Sequence, residues 1–518
     1  MLPVVLANTK PMTRREIAGL VREIERYHQS GGSLSRAEAE QLEFLQDEFR
    51  EELQALRQQP AGKPSDLQKV VKHRWIDPWL PDAIYANGRN LLFIEHDPLR
   101  IYWDPVFKRN RLWASADTLS GQERVFEDTN GFVMWGTVGE HFGFVTDVRD
   151  TKEWGSRAYP GRRNMSREGL GFAQTSGDHL YHDETVASLV YLWKYFTLQF
   201  GKDSNRWGPG FHGQLGLSDR ATSYDLLKFQ VTATRIKFTS MLAWLQHYTP
   251  DYFYGDHQEK AMAAHRLEFA PVRQLDIGLY ETVIFAGRRF EPAYMNPFMF
   301  FRSAEHYLGD RDNVAMGLDF ELKIFPKTKL YGELFIDDVT TGKLGTGFYG
   351  NKYAYLLGAT FVDPFLMPDM TVRVEYTRIR PYTYTHKVDL TAYRHFSTNL
   401  GHWSGPNSDD LFVQLEHQHS RRLRLAVAFE SRRHGANPPG ENIGGDIFHD
   451  HSYPQDPDYV DFLAGIRERS NSIFLSASYE LVRNGFARIF YLYNHGESAE
   501  RDFPGKRAEV ALCFSLNY

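Results

Sequence analysis

From about residue 89 to the end of the chain, apolar and polar positions alternate with a period of two, the spacing of a strand with unlike faces. Val314, Met316, Leu318, Phe320 and Leu322 alternate with Ala315, Gly317, Asp319, Glu321 and Lys323. Leu411, Val413 and Leu415 alternate with Phe412, Gln414 and Glu416, and Leu423, Leu425, Val427 and Phe429 with Arg422, Arg424, Ala426, Ala428 and Glu430. One face is continuously apolar, and the other carries charges of both signs. The closing VALCFSLNY repeats the pattern, with Val510, Leu512, Phe514, Leu516 and Tyr518 on one side.

One such strand alone fits the half-buried sheet of a soluble sandwich equally well. The number of segments and their links separate the two. Strand-like pieces lie near 111–117, 131–138, 141–149, 185–192, 194–201, 225–233, 235–246, 262–270, 274–286, 313–323, 329–337, 353–362, 370–379, 410–418, 422–431, 472–482, 485–494 and 508–518. After residues 138, 192, 233, 270, 323, 362, 418 and 482 the chain turns within a few residues, while the intervening links are mostly much longer. Short periplasmic turns opposite long outer loops are the habit of membrane barrels. The expected fold is therefore an all-β transmembrane barrel of about 18 antiparallel strands in a bacterial outer membrane, with the oily faces toward lipid. An even count puts the N and C termini in the periplasm. Residues 459–469 stay in an outer loop to keep that parity, and reading one strand or three between 89 and 117 leaves sixteen or twenty as alternatives. Tyr518 on an alternating last strand is the terminal aromatic that barrel insertion machinery usually reads.

The N-terminal part follows a helical period instead. Thr13 with Glu16 forms a capping box ahead of Ile17, Leu20, Val21 and Ile24, predicting a helix over about 13–29. Ser30, Gly31 and Gly32 break it, and Ser35 with Glu38 caps a second helix carrying Leu42, Leu45, Phe49, Leu53 and Leu56. This hairpin, with a linker over 59–74, makes residues 1–74 a small periplasmic domain, and 75–518 the barrel. Its narrow apolar seam needs a partner surface.

Composition adds exclusions. No run approaches the roughly 18–20 apolar residues of a membrane helix, and mean hydropathy is −0.48. A net charge of −6 without a basic stripe removes nucleic acid as a partner. Aromatics reach 14%, a bias shared by strands and membrane interfaces. The one cysteine, Cys513, rules out an internal disulfide. The opening MLPVVLANTKP lacks the basic region and apolar length of an export signal, so export is argued from the rest of the chain.

Directly after the strand YFTLQF the chain reads GKDSNRWGPGFHGQLGLSD from Gly201. This resembles the Wzi capsule-assembly family of outer-membrane barrels, in which a strand ending in glycine leads into a similar RWGPG element. NPFMFFRSAEHY at 296–307 and the stretch from PYTYTH to GPNSDD at 381–410 are also similar to that family. The resemblance covers roughly 90–518. It implies a periplasmic helical bundle, a barrel of about eighteen strands and a lectin-like role in holding capsular polysaccharide.

Candidate binding residues follow from the outer loops of this topology. Trp207 offers a flat face to a sugar ring and Arg206 a partner for an acidic group; the alternative is a structural corner with Trp207 folded into the barrel mouth. His402 and Trp403, with Tyr382, Tyr384 and Tyr393 nearby, form a second aromatic loop, equally readable as interface anchors. Arg302 and His306, with Glu305, in FFRSAEHY are further carbohydrate-binding candidates expected to line the lumen; the alternative is a lumen-filling ion network that needs no ligand. Asp319, Glu321, Lys323, Arg373, Glu375, Glu416, Arg422, Arg424 and Glu430 make an inward charge network whose opposite signs pair across strands and constrict the pore.

Asp178, His179, His182, Asp183 and Glu184, and the pairs His449/His451 and His417/His419, lack further ligands at a recognised spacing, so no metal and no cofactor is expected. No GxSxG elbow, HExxH, P-loop or dinucleotide fingerprint occurs, and the expectation is a non-enzymatic protein. The leading reading is a barrel that binds surface polysaccharide through its external loops. A porin or substrate-specific channel is the second reading. A structural subunit, docking a periplasmic protein through Leu42, Leu45 and Phe49, is the third.

Overall fold

The computed structural model describes all residues other than 1–5, 58–86, 117–121, 157–168, 172, 248–257, 326, 365–366, 499–504 and 518. The expected linker at 59–74 and the terminal Tyr518 lie outside the described residues.

Eighteen antiparallel strands close into one barrel. They are β1 Leu99–Ala116, β2 Glu123–Val138, β3 Phe142–Gly155, β4 His179–Trp193, β5 Phe196–Asp203 and β6 Tyr224–Thr232. Then come β7 Ile236–Leu245, β8 Lys260–Val272, β9 Leu275–Ala286, β10 Asn313–Phe325, β11 Thr328–Asp338 and β12 Lys352–Val362. The ring continues with β13 Met370–Ile379, β14 Ser408–Gln418, β15 Leu423–Ala436, β16 Ile466–Val482, β17 Gly485–Ser498 and β18 Lys506–Leu516. β18 pairs with β1, Val510 opposite Trp113 and Phe514 opposite Arg109, so the sheet has no free edge. The doubtful region between 89 and 117 holds one spanning strand, β1, with Leu92–His96 folded back on its start. Residues 459–469, expected in a loop, contribute their last part to β16, which starts at Ile466.

The period-two pattern orients each strand. Val510, Leu512 and Phe514 are exposed on the outside while Ala511, Cys513 and Ser515 are buried inside. Leu189, Phe200, Leu279, Leu318, Leu357, Leu411 and Leu475 extend the same exposed apolar belt around the barrel. Water would oppose such a belt and lipid accepts it, because every backbone group of a closed barrel is already bonded.

Short turns gather at one end. There the helices α1 Arg14–Gln29, α2 Arg36–Glu48 and α3 Arg50–Arg57 lie across the mouth. Both expected capping boxes are present, Thr13 with Glu16 and Ser35 with Glu38. The second helix is interrupted at Phe49, which caps α2 before α3 begins. The bundle is tied to strand ends and turns all round the rim. Glu16 Oε1 lies 2.7 Å from Lys237 Nζ, the Arg483 guanidinium bonds Asp47 at 2.9 Å and Glu48 at 2.6 Å, and Arg14 stacks 4.5 Å over Trp135. Ser35 also bonds Asp369.

One expectation about the bundle is corrected here. Leu42 and Phe49 are buried, and Leu45 partly so, against Ala18, Val21 and Leu53 within the bundle itself. That seam is the bundle's own core, because three helices rather than two supply enough surface to cover it, and it is not open to a docking protein.

Candidate functional site

The long loops at the other end take two opposite directions. Residues 204–223, between β5 and β6, and 380–407, between β13 and β14, turn into the lumen. Residues 287–312, between β9 and β10, fold down the outside of the wall.

The inward loops are held by wall carboxylates that accept backbone N–H groups. Glu333 accepts from Leu215 N and Gly216 N, both at 2.9 Å, and from the Tyr280 hydroxyl at 2.7 Å. Glu375 accepts from Phe211 N at 2.7 Å, His212 N at 3.0 Å, Gly213 N at 3.1 Å and the Tyr331 hydroxyl at 2.8 Å. Asp337 accepts from Tyr384 N at 2.7 Å. A buried carboxylate costs several kcal/mol to desolvate unless its lone pairs are filled, so each loop N–H both satisfies the wall and is fixed by it. The loops also bond each other: the Tyr384 hydroxyl donates to Leu215 O at 2.9 Å, and Ser218 Oγ to Gly401 O at 2.7 Å. Gly213 is required where the loops cross, since a Cβ there would land on the His402 ring.

Trp207 is 0% exposed and sits in this plug, edge-on to Tyr280 at 6.1 Å between ring centroids. Its ring faces are therefore not offered to a ligand: the structural corner with Trp207 folded inward is what the structure shows, and the surface-platform alternative is corrected. The physical reason is a strand bridge. Thr9–Lys10 enters the lumen and pairs with Arg206–Trp207, Asn8 N donates to Glu268 Oε1 at 3.0 Å, and Thr9 Oγ1 to Glu268 Oε2 at 2.6 Å. His402 is likewise fully buried, with its pKa pushed well below the usual imidazole range by burial. Arg206 is partly exposed, donating to Gly210 O at 2.6 Å. Trp403 is partly exposed too, beneath the Arg432 guanidinium at 5.6 Å and the Arg220 guanidinium at 6.0 Å.

Arg302 and His306, expected at the lumen, stand on the outer wall. The helices α4 Pro292–Met295 and α5 Phe301–Tyr307 pack Tyr294, Phe301 and Ala304 against Leu242, Ala263, Val283 and Phe285 on the outward faces of β7, β8 and β9. Glu281, also outward, accepts from Phe301 N at 2.8 Å and Arg302 N at 2.9 Å and pairs with His265 at 3.1 Å. Phe298 and Tyr307 remain 86% and 91% exposed on this collar. Burial lifts the Glu305 carboxyl to about 7, against the pull of Arg302 at 2.8 Å.

The inward charges distribute as follows. Asp319 pairs with Arg266, Nη1 at 2.5 Å and Nη2 at 3.0 Å; Gly278 on the intervening strand leaves room for that guanidinium. Glu321 pairs with Lys323 at 3.3 Å and Lys329 at 3.1 Å. Arg373 bonds Gln414 at 2.6 Å and approaches Glu416 at 3.6 Å, and Glu430 takes His212 at 3.0 Å. Arg422 and Arg424 are exposed near the short-turn rim, where Arg424 Nε donates to Gln418 at 2.9 Å, and among the described residues neither joins an ion pair across the lumen. The expected histidine groups find local partners: His182 with Glu153 at 3.2 Å, His449 with Asp446 at 2.9 Å, and His451 stacked on Tyr349 at 3.6 Å. Sequence spacing missed Thr9, Arg266, Glu268 and Glu333, whose roles depend on contacts far along the chain.

A closed, lipid-belted barrel with a helical cap on one mouth and inward-packed loops at the other defines an outer-membrane β-barrel protein. The family described as capsule assembly protein Wzi matches residues 143–492, and the chain belongs to that family. In fold it is similar to Wzi of Escherichia coli, described as an outer membrane protein involved in group 1 capsule assembly and a carbohydrate-binding β-barrel. That similarity has 14% identity and a TM-score of 0.53, covering 98% of this chain and 93% of that one. It is also similar to the outer membrane protein OprD of Pseudomonas aeruginosa, at 10% identity and a TM-score of 0.45, covering 80% of this chain and 92% of that one. No curated protein matches the chain in sequence.

Proposed function

We propose that this barrel binds surface or capsular polysaccharide through its long-loop end, serving capsule attachment or assembly without catalysing a reaction. Membership of the Wzi family supports this reading, and the observation that carries it is the packing of two long loops into the lumen, which favours holding a polymer at the mouth over passing a solute through it. Trp403 is the best-placed contact: a partly exposed ring flanked by Arg220 and Arg432 suits a sugar bearing an acidic group. Arg206, partly exposed beside the lumenal strand, is a further candidate contact. Trp207 and His402 act behind these residues by fixing the loops, while Arg302 and His306 serve the outer collar. Many shallow contacts along a repeating polymer supply avidity.

The helical cap and the short turns face the periplasm in this reading, with both termini on that side. Residues 1–74 then form the cap and its linker, apart from the lumenal strand at Thr9–Lys10, and 75–518 the barrel. The exposed belt and the collar aromatics contact outer-membrane lipid.

The test is binding of the purified full-length protein to polysaccharide extracted from the same cells. Trp403→Ala and Arg220→Ala are expected to weaken binding at least tenfold with an unchanged yield of folded barrel. Unchanged binding in both, or steady ionic conductance through the wild type in planar bilayers, would overturn the reading.

A further inference from the structure

We propose that His212, Asp410 and Glu430 form a binding site for a divalent transition cation of the zinc class. The three come from the inward loop after β5, from β14 and from β15, and their donor atoms lie within 4.8 Å of one another. His212 Nε2 is 3.0 Å from Glu430 Oε2 and 3.6 Å from Asp410 Oδ2. An ion bound tetrahedrally at about 2.0–2.2 Å to imidazole nitrogen and carboxylate oxygen holds its donors about 3.3–3.6 Å apart, within a few tenths of an ångström of these two separations.

The second observation is the state of Asp410. Its residue is 2% exposed, and its Oδ1 is buried with no hydrogen-bond partner among the described residues. A bare buried carboxylate oxygen is costly, and a hydrogen bond from His212 alone serves only one of the two acids. A cation serves both. Two carboxylates and a neutral imidazole also balance its charge, and the mixed nitrogen–oxygen set suits zinc better than calcium.

The surroundings hold the ligands in place. The His212 ring stacks on Phe412 at 4.0 Å and 8°, with Trp403 edge-on at 5.2 Å. Among the neighbouring charges, Glu375 accepts three loop N–H groups, and Arg432, opposite Asp410 in the β14–β15 pairing, donates to Ser404 O at 2.7 Å. The ion would cross-link the GPGFHG loop to two wall strands. It goes beyond the polysaccharide reading and does not depend on it.

The experiment uses the full-length protein in detergent, stripped with chelator and titrated with zinc chloride, with bound metal counted by mass spectrometry. Wild type is expected to hold one zinc more per chain than the His212→Asn and Glu430→Gln variants. Asp410→Asn should weaken that zinc at least tenfold. Heat-modifiable gel mobility selects folded samples, and the comparison between variants removes zinc bound by surface histidines. Equal zinc in wild type and the two folded variants overturns the proposal, as does a site that takes calcium but not zinc.

Discussion

Two sets of loops leave the same end of one barrel and solve the burial problem in opposite directions. The loops at 204–223 and 380–407 enter the lumen, where wall carboxylates Glu333, Glu375 and Asp337 receive their backbone N–H groups. The loop at 287–312 lies on the lipid side, where Glu281 receives the first N–H groups of α5 in the same way. What differs is the surface left over. The lumenal plug buries Trp207, Tyr382, Tyr384 and Tyr393 completely, whereas the collar leaves Phe298 and Tyr307 bare. A carboxylate aimed at a loop thus fixes its path on either face, and the medium beyond decides which side chains stay uncovered.

The largest expected effect separates the two regions by stability. Trp207→Ala should cost about 3–5 kcal/mol in chemical unfolding, the range for deleting a buried aromatic, and should raise conductance in planar bilayers. A sealed, equally stable variant would show that the plug does not depend on its central ring. Phe301→Ala removes a similar buried ring from the collar. There the loss should be local: faster hydrogen exchange over 288–310, with conductance unchanged and barrel unfolding shifted by no more than about 0.5 kcal/mol.

Acidity sharpens the contrast at two loop histidines of the plug and one loop carboxylate of the collar, whose shifts have opposite consequences. In the plug, burial depresses His386 to about 4 and His395 to about 3, so the folded loops bind fewer protons than the unfolded chain. Their stabilisation is present above about 6.5 and is lost as pH falls from there toward those values. In the collar, Glu305 is raised to about 7 from an ordinary value of 4.5. Its contribution is full below that ordinary value and is lost as pH rises through about 7. Hydrogen exchange compared at pH 5 and pH 8, corrected for intrinsic rates, should loosen 380–407 at the acid end and 288–310 at the alkaline end. The smallest effect is that of Tyr307→Ser: within about 0.5 kcal/mol in detergent, with weaker retention in lipid vesicles than wild type.

All eighteen strands were legible in the sequence because alternation is a local property, and parity followed from the turns. The direction of the loops was not, since inward and outward folding use the same residue types. FFRSAEHY was expected in the lumen on its charges alone. A usable sign existed: Glu281 falls at an outward position beside Leu279 and Val283, and a charge on a greasy face implies that protein covers it. The seam residues of the second helix keep helical spacing through Phe49, so the break in the backbone there leaves no mark on the pattern. The lumenal strand at Thr9–Lys10 had no sign at all, two residues being too short for a period.

That strand has a consequence for biogenesis. Residues 8–10 precede every spanning strand yet finish encircled, bonded to Trp207, Arg266 and Glu268. Their lumenal bonds can therefore be completed only once the wall strands that supply Arg266 and Glu268 stand in place, like a rod seated in its cask. A chain deprived of that strand would leave Arg266 and Glu268 short of partners at the centre.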